Sequence, residues 1–270
     1  MSELAGVAAH TLVIEIGGMP ILVRTDSAEF LRMLEGRYSG FLRADAKPVF
    51  EFDVELVPPG RITDEDDVAV HFAAGRWLIE RGDLRAEWDP ASGRGVIRQS
   101  ANPYSIDTAL RIIHSLILAR QGGLLVHAAS GVRHGKAFLF AGVSGAGKTT
   151  ISRLAPPDVT LLTDEISYLR RNGNGYIAHG TPFAGELAKV GENIQAPLSA
   201  LFLLRQGPEN KMERVPHGEA VRALLENILF FAHDAELVDK VFESAFDLVH
   251  QVPVYRLTFV PDQRVWELIG

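Results

Sequence analysis

The chain has 270 residues, 47% of them hydrophobic, and a formal net charge of −7. Length and apolar content allow a sizeable core in one or two domains, and the acidic balance argues against general nucleic-acid binding, which relies on clustered Lys and Arg. Cysteine is absent, which excludes disulfides, thiolate catalysis and Cys-ligated zinc.

The first residues, MSELAGVAAHTLVIEIGG, lack a basic n-region and a clean cleavage signal. No stretch reaches the roughly 18 uninterrupted apolar residues that a membrane span needs. The expectation is a cytoplasmic protein with no membrane partner and no nucleic-acid partner.

The chain divides at about residue 103, into a β-rich region 1–103 and a second domain 104–270. In the first region HTLVIEI, PILVRT, VFEFDVELV, VAVHFAAGRWLIE, LRAEWD and GVIRQS alternate with period two, which predicts half-buried antiparallel strands. One helix interrupts them over 27–38, capped by Ser27, with Phe30, Leu31 and Leu34 on one face. PPGRITDEDD (58–67) reads as a solvated loop.

From Ser105 the spacing of Leu110, Ile113, Ile117 and Leu118 predicts a helix that Gly122-Gly123 ends. LLVHAASGV and AFLFAGV follow as apolar strands joined by an RHGK hairpin. A short helix starts at Thr150 and stops at Pro156-Pro157. VTLLTDEISYLRR, YIAHGTPF and SALFLLRQ read as strands, then ERVPHGEAVRALLENILF as a helix opening near Pro216. LVDKVFESAFDLVHQV reads as a second helix, and YRLTFVP and VWELI as closing strands. Phe230-Phe231 is assigned to the core.

Between the second apolar strand and its helix runs GVSGAGKTT: Gly142, Val143, Ser144, Gly145, Ala146, Gly147, Lys148, Thr149 and Thr150. It completes the pattern G-x-x-x-x-G-K-[ST] in the strand–loop–helix context that the pattern requires. Glycines let backbone N–H groups wrap a polyphosphate, and the following helix aims its free amides at it. Lys148 supplies charge to the β and γ oxygens, and the Thr149 hydroxyl suits magnesium. Nucleotide binding is the strongest expectation from the residues.

Asp164 and Glu165 fall in LLTDEISYL. Carboxylates near a γ-phosphate can hold magnesium, and Asp164 can alternatively serve as a base on an incoming hydroxyl. His127 interrupts an apolar strand, and strand pairing can bring it to the same end of the sheet as Asp164. His179, Glu186 and Lys189 lie in AHGTPFAGELAKVGEN, a segment that can close over the site as a lid, with Glu186 a further candidate metal ligand. The other histidines show no ligand-like pattern.

A histidine before the P-loop, then GVSGAGKT, then TDE together resemble the HPr kinase/phosphorylase catalytic domain over roughly residues 120–205. The resemblance implies an α/β fold with a mixed, largely antiparallel sheet, the P-loop variant shared with ATP-dependent phosphoenolpyruvate carboxykinases. It implies ATP and Mg2+, with Asp164 as base, His127 as its partner, Lys148 as phosphate clamp and Thr149 as metal ligand. It allows a homo-oligomer, since relatives in the HPr group assemble as rings. Glu165 stands where that family has Asp, and GTPFAGELAKVGEN replaces its Gly-rich segment. In these departures the chain is similar to HPr-kinase-like proteins that phosphorylate a peptide serine, including the kinases that tailor lasso peptides.

The expected function is therefore an ATP-dependent kinase acting on a serine-type hydroxyl of a peptide or protein, with a ribosomal peptide precursor among the acceptors. The alternatives are a small-molecule kinase, a simple NTPase, and a nucleotide-binding scaffold subunit that transfers nothing. Residues 1–103 are expected either to dock the substrate or to flank a single fold.

Overall fold

The computed structural model describes residues 10–59, 68–173, 175–187 and 190–270. The chain's first nine residues, most of the acidic stretch at 60–67, and Lys189 lie outside the described residues. The chain splits into two compact units, Met1–Ile113 with Phe231–Asp234, and His114–Phe230 with Ala235–Gly270.

The first unit is built on strands β1 (His10–Ile16), β2 (Met19–Thr25), β3 (Phe50–Leu56), β4 (Ala69–Ala73), β5 (Arg76–Arg81), β6 (Leu84–Asp89) and β7 (Arg94–Gln99). They form one sheet in the order β1-β2-β3-β7-β6-β5-β4. The alternation read from the sequence is real: Ile21, Val23, Phe52, Val54, Ile79 and Ile97 are buried while their neighbours reach solvent. The expectation of purely antiparallel pairing is corrected, because β2–β3 and β3–β7 are parallel. Helix α1 (Ala28–Arg37) makes the β2–β3 crossover, a connection that a tight turn cannot supply. Ser27 caps it, Oγ accepting from Phe30 N at 3.2 Å, and Phe30 and Leu34 are buried.

Helix α2 (Pro103–Gln121) starts with proline at a position whose amide needs no partner, and Asn102 Oδ1 accepts from the amides of Tyr104 and Ser105. Asp107 on this helix accepts from the Tyr38 hydroxyl and from Arg37. Gly122, at φ 73°, ends the helix in the left-handed region.

The second unit holds β8 (Leu124–Arg133), β9 (Lys136–Ala141), α3 (Lys148–Arg153), β10 (Val159–Thr163), β11 (Ile166–Asn172), β12 (Gly175–His179), β13 (Gln195–Gln206), β14 (Lys211–Arg214), α4 (His217–Leu225), α5 (Ala235–Gln251) and β15 (Val254–Phe259). The sheet is mixed and largely antiparallel; only β13–β9 and β13–β15 are parallel among the described pairs. Strand β8 organises the site. Its second half pairs with β9, Ala128 facing Ala141, and β10 and β11 lie in line along its other edge. Thr163 faces Ser130 and Ile166 faces His127, so the register carries across a break at Asp164–Glu165. Where β9 no longer covers β8, the His127 amide donates to Asn227 O and Leu229 donates to Leu125 O. Those contacts satisfy a strand edge that would otherwise be bare.

Three further readings are corrected. Glu213-Arg214 belong to β14, and the helix after Pro216 stops at Leu225, because residues 227–229 turn away to pair with β8. Residues 263–268 form a 3-10 helix, capped by Asp262 Oδ1 accepting from Arg264 N, so VWELI is not a strand. Phe230 and Phe231 are half-buried, not core.

Candidate functional site

The end of β9 delivers the chain into the P-loop, and one hydrophobic cluster packs around that exit. Phe140 stacks on Phe202 at 5.5 Å and meets Trp266 edge-on at 5.3 Å. Ala146 and Ile151 are buried in the same cluster as Phe259. Gly145 and Gly147 take φ values of 78° and 111°, which a side chain resists. A Cβ on Gly147 would also come within 2.6 Å of the Phe259 ring. Gly147 is the N-cap of α3, so the helix opens directly onto the loop.

The loop borders a cleft of about 470 Å³ whose lining includes His127, Ser144, Gly145, Gly147, Lys148, Thr149, Thr150, Asp164, Glu165, Glu186 and Gln206. The sheet register explains the gathering. β8 runs antiparallel to β9 and to β10–β11, so His127, the exit of β9 and the 164–165 break share one end. His127 is the one exposed residue between Gly123 and Gly131.

The polar groups of the cleft hold one another. Lys148 Nζ donates to Gly142 O at 2.8 Å. Partial burial lowers the Lys148 pKa, while Glu186 and Glu165 pull it back up. Thr149 Oγ1 donates to Glu186 Oε2 at 3.0 Å. Asp164 is buried, with Oδ1 accepting from Gly185 N and Oδ2 from Leu187 N, both at 2.9 Å. Thr163 Oγ1 accepts from the amides of Glu165 and Ile166 and so shapes the break that displays the two acids. Among the described residues no three His, Asp or Glu side chains form a ready metal cluster.

Residues 99–270 match the family described as "SynChlorMet cassette protein ScmC". The chain belongs to the ScmC family. The match takes in the whole cleft and begins at the last residue of β7. No curated protein matches this sequence. Among solved structures, the Hpr(Ser) kinase/phosphatase from Coxiella burnetii is 16% identical, over 44% of this chain and 93% of that one, with a TM-score of 0.24.

Of the residues singled out in the sequence of this ScmC-family chain, His127, Lys148, Thr149, Thr150, Asp164, Glu165 and Glu186 line the cleft. Gly142 stands behind it, holding Lys148 through its carbonyl. Ala146 is buried beneath it, and Val143 is 70% exposed and outside the lining. His179 is not in the lining either: it ends β12, buried edge-on to Tyr168, and burial and Arg170 bring its pKa down to about 4. Gln206 is the residue that the sequence reading missed. Its Nε2 donates to Gly145 O at 2.7 Å. Only the parallel register of β13 on β9, Leu203 beside Ala141, places a strand-terminal glutamine against the loop.

Proposed function

We propose that this chain is a magnesium-dependent ATP kinase that phosphorylates a serine-type hydroxyl of a peptide or protein. The observation that carries the reading is the phosphate cradle facing His127, Asp164 and Glu165 across one cleft. In this reading the loop amides and the α3 N-terminus hold the triphosphate. Lys148 exchanges the Gly142 carbonyl for the β and γ oxygens. Asp164, with His127 as partner, takes the acceptor's proton. The acceptor oxygen bonds to the γ-phosphorus, the bond to the bridging oxygen breaks, and ADP leaves.

The donor set fits magnesium. The Thr149 hydroxyl and the Glu186 carboxylate, with Glu165 beside them, are hard oxygen donors. Magnesium sites of this kind use one or two carboxylates and complete the shell with phosphate oxygens and water. The bound ion would neutralise charge on the transferring group. Residues 180–187 and 190–194 are tied to β10, Thr181 N donating to Leu162 O and Glu192 N to Leu161 O, and the described part beside Asp164 can shield the cleft from water.

The β-rich region 1–103 is assigned to acceptor docking. Strand β4 is an edge of its sheet among the described residues, and Phe72 on it is half exposed, so an extended peptide could add there. Phe72→Asp is then expected to weaken peptide affinity and spare nucleotide affinity. The deciding experiment incubates the chain with γ-labelled ATP, Mg2+ and a library of serine peptides. Label on peptide supports the proposal. Free labelled phosphate without acceptor points to an NTPase, and no released label with intact nucleotide binding points to a scaffold; either result sinks the kinase reading.

A further inference from the structure

Asp164 is bound more thoroughly than a waiting base needs to be. Each of its oxygens accepts one backbone amide, and the two amides, Gly185 and Leu187, flank Glu186. Charge-assisted bonds of this kind fix geometry as well as add energy. Glu186 is thus gripped on both sides, and its Oε2 accepts from the Thr149 hydroxyl at 3.0 Å. The approach is close: a Cβ on Gly185 would meet Asp164 Oδ2 at 3.0 Å and Glu165 Cβ at 2.9 Å. Glycine at 185 is what lets the segment lie against the acid.

The segment is also held elsewhere. Thr181 Oγ1 donates to Ile166 O at 2.9 Å and Gly191 N donates to Thr181 O at 3.2 Å. Those bonds fix the roots of the loop, and none of them acts on Glu186. Glu186 is held by its own bond from Thr149 and by the two flanking amides on Asp164. The arrangement also brings Glu186 towards two acids, with Lys148 the cation that feels Glu186 and Glu165.

We propose that Asp164 is a positioning residue: it clasps segment 185–187 so that the Glu186 carboxylate stands beside the Thr149 hydroxyl as a second oxygen ligand for the cation that accompanies the nucleotide. This rests on the nucleotide-binding reading above and adds a task for Asp164 beyond proton transfer. Outer partners that orient a ligand are worth about 10-fold to 100-fold in metal affinity.

The test titrates a fluorescent ATP analogue into the full chain, first in EDTA and then over rising Mg2+. The wild type should bind more tightly as Mg2+ rises. Glu186→Gln, Gly185→Ala and Asp164→Asn should each raise the Mg2+ midpoint by about 10-fold, and Gly185→Ala, which keeps every charge in the cleft, should do so without lowering the metal-free affinity. Gly185→Ala is the cleanest arm, because it pushes the segment away while keeping every carboxylate. Gly185→Ala combined with Glu186→Gln should shift the midpoint no further than Glu186→Gln alone. If Gly185→Ala and Asp164→Asn keep the wild-type midpoint, or if Gly185→Ala lowers metal-free affinity as a collapsed pocket would, the clasp is wrong. A wild type that binds no analogue under either condition sinks the proposed function itself.

Discussion

The two units treat charge in opposite ways. In the first, the strands carry a lattice of cross-strand pairs: Arg24 with Glu51 and Asp53, Arg94 with Glu51, Arg98 with Glu55 and Glu87, Arg85 with Glu80. Each pair lies on the solvated face of a sheet whose other face is apolar, the usual division for a sheet with one buried side. In the second, β8 and β9 are buried almost throughout, and the polar groups of the cleft gather where a loop, a strand break and a clasped segment meet. The contrast shows that strand charge marks a site only where the surrounding strands bury everything else.

That comparison can be broken or sharpened by substitution. The largest effects should come from the apolar layers. Trp77→Ala in the first unit and Phe140→Ala in the second each empty a fully packed position and should cost about 3–5 kcal/mol in denaturant unfolding. Only Phe140→Ala, beneath the P-loop, should also weaken nucleotide binding; an equal loss from Trp77→Ala would erase the distinction between the units.

Acid should act next, and on the second unit. His114 is fully buried with Nδ1 3.1 Å from the Tyr168 hydroxyl, and burial first, then Arg170, brings its pKa down to about 3. His179, edge-on to the same tyrosine, is brought down to about 4. Both values lie below the ordinary 6.5, so the unfolded chain takes up protons first. Their stabilising contribution is complete above about pH 6.5 and falls as pH drops towards the folded values, by about 1.4 kcal/mol per pH unit for each group. Melting curves between pH 6.5 and 5, above most carboxylate titration, should show this slope, and His114→Leu should remove its share. A slope unchanged in that variant would contradict the assignment.

Lys148→Ala should lower nucleotide affinity or transfer by about 10²-fold, measured by titration or by label transfer, with the melting temperature little changed because the side chain bonds only to a loop carbonyl. The smallest effect should come from Arg24→Ala. Arg24 pairs with Glu51 and Asp53 on a solvated face, where such pairs add little. Its melting shift should be smaller than that of either core truncation, and should shrink further in high salt.

Local rules made much of this legible. The Ser27 cap, the start and stop of α2, the β8–β9 hairpin and the P-loop all follow from interactions between residues a few positions apart. VTLLTDEISYLRR was read as one strand, and the structure divides it into β10 and β11, with a register shift between Leu161 and Thr163 and a break at 164–165. VWELI failed as a strand because a side-chain cap at Asp262 favours a tight helical turn. The parallel pairs of the first sheet were hidden because alternation reports which face is buried, not which way the neighbour runs.

From the chain alone came the glycine-rich loop, the helix that follows it and the residues able to face it, since glycine conformations, a lysine and a helix start act at short range. Only the tertiary structure decided that Gln206 reaches Gly145, that His179 is shut away beside Tyr168, and that Asp164 grips the amides around Glu186. Those contacts join residues that are brought together by strand direction and register. The free energy that sets register is spread over a whole sheet and is not carried by any short stretch of sequence.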